Sequence, residues 1–114
     1  MPGFSWARTS SLAAVLLTAA CAPLLAPVSQ ADVARAQARF PGTTTADLEH
    51  GRALYAVKCT GCHALEPATR HRPDEWPDEV NRMLRSAHLD RGEADAIIRY
   101  LVVSSTPTDA TPLR

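Results

Sequence analysis

Residues 55–67 read YAVKCTGCHALEP and contain the pattern Cys59-Thr60-Gly61-Cys62-His63. Two cysteines three apart, followed at once by a histidine, admit four chemistries. A disulfide across so short a step closes a very small loop and restricts little of the unfolded chain. A thiol-exchange pair expects a strand before it and a helix starting at its first cysteine. Here a helical pattern comes before the cysteines, and nothing upstream reads as a sheet. Zinc needs four ligands, so Cys59, Cys62 and His63 would have to recruit His71, His88 or a carboxylate, with no second paired motif in the chain. Covalent haem attachment needs only what is present: each cysteine adds to one porphyrin vinyl group, and the histidine is held beneath the iron. With an export signal and no further cysteines downstream, haem is the favoured reading.

The limits of the chain bear on that choice. Its 114 residues set one small domain as the expectation. Twelve basic and twelve acidic residues leave no net charge, which gives neither a nucleic-acid footprint nor a strongly acidic partner. Lys58 is the only lysine, so electrostatic docking would fall to scattered arginines. At the N-terminus, Arg8 precedes an apolar run from Leu12 to Ala22. That run is too short for a bilayer, which takes ~20 apolar residues. Ser29-Gln30-Ala31 offers small residues to signal peptidase, so residues 1–31 read as an export leader and Asp32 as the expected mature start. An uncleaved anchor from Leu12 to Val28 is the alternative, interrupted by Pro23 and Pro27. A lipid-anchored form would keep Cys21, but Thr18-Ala19-Ala20 lacks the leucine expected three before the cysteine. Loss of the leader removes Cys21 and leaves the two cysteines of the quoted stretch, in a periplasmic protein. So small a domain builds a sufficient core with difficulty, and a large bound cofactor at its centre would supply one.

Along the remaining chain, residues 32–44 have no sustained period and contain Pro41-Gly42, as expected of a linker or a frayed helix followed by a turn. A helix is expected from about Thr45 to Lys58, with Asp47 and Glu49 at its positive end and no capping box from Thr45. Gly51 in its interior costs ~1 kcal/mol relative to alanine and marks a close approach of another backbone. Residues 64–73 read as a loop. A second helix is expected with Asp74 as N-cap, Pro77 in the first turn, and Trp76, Val80, Met83, Leu84 and Ala87 on one apolar face. Asp90 and Glu93 form a box-like start for a third, whose apolar stripe carries Ala94, Ile97, Ile98, Tyr100 and Leu101. Residues 106–114 are polar, contain two prolines, and read as a disordered tail. The expectation is all-α: three main helices in a domain over residues 45–105, with no sheet and no repeat.

At this point the chain resembles the class I c-type cytochromes in their small monohaem bacterial form, over about residues 46–103. The residues that carry the resemblance are Gly51 eight before the first cysteine, Tyr55 four before it, Lys58 directly before it, and the pair Ile97 and Tyr100 in the last helix. The resemblance implies a cytochrome c fold in which the terminal helices cross with Gly51 against the aromatic helix. It implies covalent haem c held by Cys59 and Cys62, with His63 as one axial ligand of the iron. It also implies a methionine as the second ligand. Met1 and Met83 are the only methionines, so Met83, twenty residues after His63, is the expected ligand. It stands on a helix rather than in the long loop usual for the family, with Trp76 seven residues before it. His71 and His88 are the other candidates, and a core role for Met83 is the ordinary alternative. Trp76 is expected against the haem edge with its indole N–H on a propionate or carbonyl. Arg70 and Arg72 are expected to be solvated, and a carbonyl in the loop around Pro67 is expected to accept the histidine's other N–H.

The function implied is electron transfer rather than catalysis, since no paired acid and base or activated nucleophile is visible in the sequence. The implied partner is a periplasmic dehydrogenase, an oxidase or a respiratory complex, with no nucleic acid, and with membrane association only if the N-terminal segment is retained. A haem-based sensor or gas-binding module, with an open or histidine-ligated sixth site, is the alternative.

Overall fold

The computed structural model describes residues 25–107. Three of its helices start on reciprocal capping boxes, in which the N-cap side chain accepts from the third backbone N–H and an acidic side chain returns to the cap amide. These are α1 (Gln30–Arg39) on Ser29 and Asp32, α2 (Thr45–Lys58) on Thr44 and Asp47, and α4 (Arg91–Ser105) on Asp90 and Glu93. Helix α3 (Trp76–Met83) has no side-chain cap and starts with Pro77 in its first turn, where no N–H is needed. A single 3₁₀ turn covers Ala68–Arg70. The described residues contain no strand, in keeping with the all-α expectation.

Four local expectations are corrected. Residues 32–44, expected as a linker or a short frayed helix, lie largely in α1, a capped rather than frayed helix, because Ser29 and Asp32 cap it and Val33 and Ala36 give it a buried face. The turn expected at Pro41-Gly42 is present: the Thr43 amide donates to the Phe40 carbonyl at 3.2 Å, and Gly42 has φ +82. Proline followed by a positive-φ glycine is the signature of a type II turn. Helix α2 does begin on a capping box, one residue earlier than was considered, from Thr44 rather than Thr45. Asp74 does not cap α3; it accepts two hydrogen bonds from Arg72, at 3.1 and 2.9 Å, and Glu75 stands at the N-cap. Finally, α3 ends at Met83, four residues short of the expected Ala87. The chain continues in one irregular turn. There the Leu89 amide donates to Leu84 O and the His88 amide to Arg85 O, with His88 at φ +51. This is a Schellman closure with histidine in the left-handed position usually taken by glycine. Leu84 and Leu89, the pair such a closure brings together, both pack on the main core.

Helices α2 and α4 make the principal contact of the fold and cross at Gly51. A Cβ at Gly51 would lie 2.1 Å from the Ala96 carbonyl oxygen and 3.0 Å from Tyr100 Cβ, so only glycine admits α4 at this distance. The close approach read from Gly51 is therefore present, and Tyr100 stands opposite it as expected. The main core is built from Tyr55, Trp76, Val80, Ala94, Ile97 and Leu101, among others. A second cluster joins Val33 and Ala36 of α1 to Leu48 of α2 and Val103 of α4. Lys58 Nζ lies 3.3 Å from Glu93, tying the end of α2 to the start of α4.

Residues 25–29 run without helix across the far side of this crossing. Leu25 is buried in the main core, and its carbonyl accepts from Arg52 Nη2 at 3.1 Å. The Val28 amide donates to Glu49 at 3.2 Å, and Tyr100 Oη donates to the Ala26 carbonyl at 3.2 Å. Of the leader expected over residues 1–31, residues 1–24 lie outside the described part. Of the tail expected over residues 106–114, Thr106 caps α4 and donates to Val102 O at 2.8 Å, while residues 108–114 lie outside the described part. No helix of the described residues is long and apolar enough to cross a membrane.

Candidate functional site

The site is built where α2 runs out. Cys59 is the C-cap of α2; its amide still donates to Tyr55 O at 3.2 Å, and its side chain points into the core. Thr60 Oγ1 donates back to Ala56 O at 3.1 Å, which turns the chain off the helix end. Cys62 and His63 follow on an exposed turn. Tyr55 Oη closes this loop from below by donating to the Glu66 carbonyl at 2.7 Å. Burial pushes the Tyr55 phenol up to about 12, so it remains a donor at all ordinary pH values.

A cleft of about 260 Å³ opens beside the turn. Lys58, Cys59, Cys62 and His63, from the end of α2 and the turn after it, line it together with Met83, Ser86 and Ala87, from the end of α3 and its closure. The end of α3 and its Schellman closure thus carry Met83 to the cysteine–histidine turn, although the two are twenty residues apart. Met83 is half-buried. Both cysteines are free thiols, and burial pushes the Cys59 thiol above its ordinary value. His63 Nδ1 lies 2.8 Å from the Ala64 carbonyl. A carbonyl can only accept, so in the neutral ring this contact favours the tautomer with the proton on Nδ1 and the lone pair on Nε2, the one a metal ligand requires. The carbonyl expected near Pro67 is thus the adjacent one, at Ala64.

The other histidines are not brought to the cleft. His71 packs edge-on to Trp76, with ring centroids 4.7 Å apart, and reaches Glu66 at 3.4 Å. His88 is exposed beyond the end of α3, and His50 is exposed on α2. Trp76 is fully buried and donates its indole N–H to Ala68 O at 2.9 Å, the carbonyl alternative of the expected pair. It also meets Tyr55 edge-on at 6.2 Å between centroids, so the Trp–Tyr pair forms the floor under the loop. Arg70 and Arg72 are exposed and pair with Glu66 and with Asp74 and Glu75. Sequence reasoning missed Ser86 and Ala87 as cleft walls; their small size beside Met83 was the available signal. It also missed the Lys58–Glu93 pair, which needs the helix crossing to be known.

Among the described residues no group of three or more His, Cys, Asp or Glu is placed to hold a metal ion together. Comparison with family models, curated proteins and solved structures finds no match to this chain.

Proposed function

We propose that the protein is a periplasmic electron carrier of the class I c-type cytochrome kind, with one covalent haem seated in the cleft between the end of α2 and the end of α3. The observation that carries the reading is the convergence of Cys59, Cys62, His63 and Met83 on one cleft. The donor set fits the group: two free thiols for attachment, a histidine whose Nδ1 faces the Ala64 carbonyl, and a thioether in the same cleft. A zinc site has no comparable support, since no carboxylate or second histidine lines this cleft. Nor is the arrangement that of a thiol oxidoreductase, since α2 ends, rather than begins, at Cys59.

In this reading Cys59 and Cys62 would hold the haem, and His63 and Met83 would supply the ligands of its iron. When bound, the haem supplies a one-electron ferrous–ferric couple. The protein's own residues do the rest. The Ala64 carbonyl orients the His63 ring and raises its basicity as a ligand. Tyr55 and Trp76, each hydrogen-bonded to a loop carbonyl, hold the attachment loop against the core and keep water from that side. The crossing at Gly51 fixes α2, and hence Cys59, relative to α4. Cys62 and His63 sit on an exposed turn, so one haem edge would remain accessible to a redox enzyme or respiratory complex.

Two measurements test the proposal. Haem should stay with the chain through denaturing electrophoresis and be lost from the Cys59→Ala/Cys62→Ala double variant. In the ferric protein, a methionine–iron charge-transfer band should be present and should disappear in Met83→Ala. A chain that never carries covalent haem when exported with haem-attachment machinery sinks the reading. Rapid carbon monoxide binding by the untreated reduced protein would instead favour the gas-binding alternative.

A further inference from the structure

Residues 25–107 carry three sulfur side chains, Cys59, Cys62 and Met83. All three line the one cleft between the end of α2 and the end of α3. His63 lines it too, no carboxylate does, and its only side-chain oxygen is the Ser86 hydroxyl. Sulfur gathered in this way, with hard oxygen ligands left out, is the donor chemistry of a soft metal ion. Thiolate and thioether select copper(I), whereas carboxylate and carbonyl suit harder cations. Zinc draws on thiolate, imidazole and carboxylate, so a thioether in third place separates the two ions. Cys59, Cys62 and His63 do not by themselves form a ready metal group among the described residues. The motif alone therefore does not make the site; what the fold adds is the Met83 thioether, carried in at the end of α3.

The surroundings suit a small cation. Both thiols are free. Cys62 is exposed and Cys59 is buried, so an ion met at Cys62 is drawn inward to Cys59. The Lys58 ammonium at the same cleft lies 3.3 Å from Glu93, which offsets its repulsion of a positive charge. We propose that the haem-free chain binds one copper(I) ion in this cleft through Cys59, Cys62 and Met83. Each thiol gives its proton to solvent as its copper–sulfur bond forms. The copper stays monovalent, so no oxidant or reductant is consumed. The site itself does not depend on haem. Its consequence for haem loading rests on the proposed function: attachment uses both thiols and the iron takes Met83, so copper(I) and haem exclude each other.

The full chain is made without haem in a cell-free reaction and titrated anaerobically with copper(I) in competition with bicinchoninate, whose copper(I) complex is coloured. The chain should withdraw one equivalent of copper(I) from that complex. Met83→Leu keeps the bulk and apolar character of the side chain. It should bind at least roughly 10-fold more weakly, the loss that even outer partners of a metal produce. Cys62→Ser should bind more weakly still. In proton NMR of the parent, the Met83 methyl signal should shift with the first equivalent of this diamagnetic ion. No copper uptake, a Met83→Leu affinity equal to the parent's, or a methyl signal that does not move overturns the inference. Helical circular dichroism is compared first, and where Met83→Leu has lost helix the methyl signal of the parent decides. An exported chain that carries covalent haem, while the haem-free chain takes up no copper(I), overturns this inference and leaves the proposed function standing.

Discussion

Substituting Gly51→Ala tests the helix crossing on which both the core and the position of Cys59 depend. The added methyl would meet the Ala96 carbonyl oxygen at 2.1 Å, its carbon at 2.8 Å and Tyr100 Cβ at 3.0 Å. Two of these three are backbone atoms of α4, which cannot rotate away, so relief requires the helices to part by on the order of 1 Å. In an exposed helix the same change would stabilise by ~1 kcal/mol through propensity. Overpacking a closed contact costs ~1–3 kcal/mol, and a clash with backbone this deep belongs at or above the top of that range. The net expectation is a loss of about 2 kcal/mol or more, which lowers the folded-to-unfolded ratio by roughly 30-fold. At ~4–8 °C per kcal/mol for a domain of this size, the midpoint should fall by about 10 °C. Urea unfolding followed by helical circular dichroism measures it on the protein as isolated, with an unchanged m-value marking a true stability effect. Gly61→Ala is the control: nothing lies within 4 Å of its added Cβ, and a change within about 0.5 kcal/mol is expected. A Gly51→Ala protein as stable as the parent, or more so, would refute the close approach of α2 and α4.

Other substitutions probe the local devices. Asp90→Ala removes the acceptor for the Glu93 amide at 2.8 Å and should cost ~1 kcal/mol in the same assay. Trp76→Phe keeps an aromatic ring but removes the indole N–H and orphans the Ala68 carbonyl, and should cost ~1 kcal/mol or more in the same assay. The Tyr55 phenol, raised to about 12 chiefly by burial, makes stability sensitive to alkali. The folded state keeps that proton after the unfolded chain has lost it. The stabilisation is therefore complete below the ordinary value of 10.0 and is lost as pH rises toward 12. Tyr55→Phe should flatten that alkaline limb, and ultraviolet titration of the parent should show tyrosinate appearing later than in the unfolded chain.

How far the sequence reaches is seen by comparing its two ends of success. Gly51 could be read as a close-packing residue because a helix-interior glycine has a cost that something must offset, and the structure supplies the Ala96 carbonyl. The box at Asp90 and Glu93 was equally legible, since capping needs only a local spacing. The bounds of α2 were legible but its capping box was not: Thr45 has Leu48 three positions on, whereas the box lies one residue earlier, between Thr44 and Asp47. Asp74 was misassigned as a cap because its competing partner, Arg72, is chosen by the turn geometry of the loop. Helix α1 could be read only as a linker or a frayed helix because its buried face, Val33 and Ala36, is two short residues; it is a stable helix because Leu48 and Val103 stand where those residues can be covered.

By itself the sequence determined the all-α class, the cap at Asp90, the turn at Pro41-Gly42 and the chemistry open to Cys59, Cys62 and His63. Each depends on residues a few positions apart, whose geometry is set by local backbone rules. Only the tertiary structure decided that Met83, and neither His71 nor His88, shares a cleft with those three, because that depends on where the end of α3 is carried by packing against α4. Only the tertiary structure, too, drew Leu25–Ser29 into the domain. An apolar run and small residues look alike in a discarded leader and in a strap, and the difference lies in whether distant side chains, here Arg52, Glu49 and Tyr100, wait to receive it.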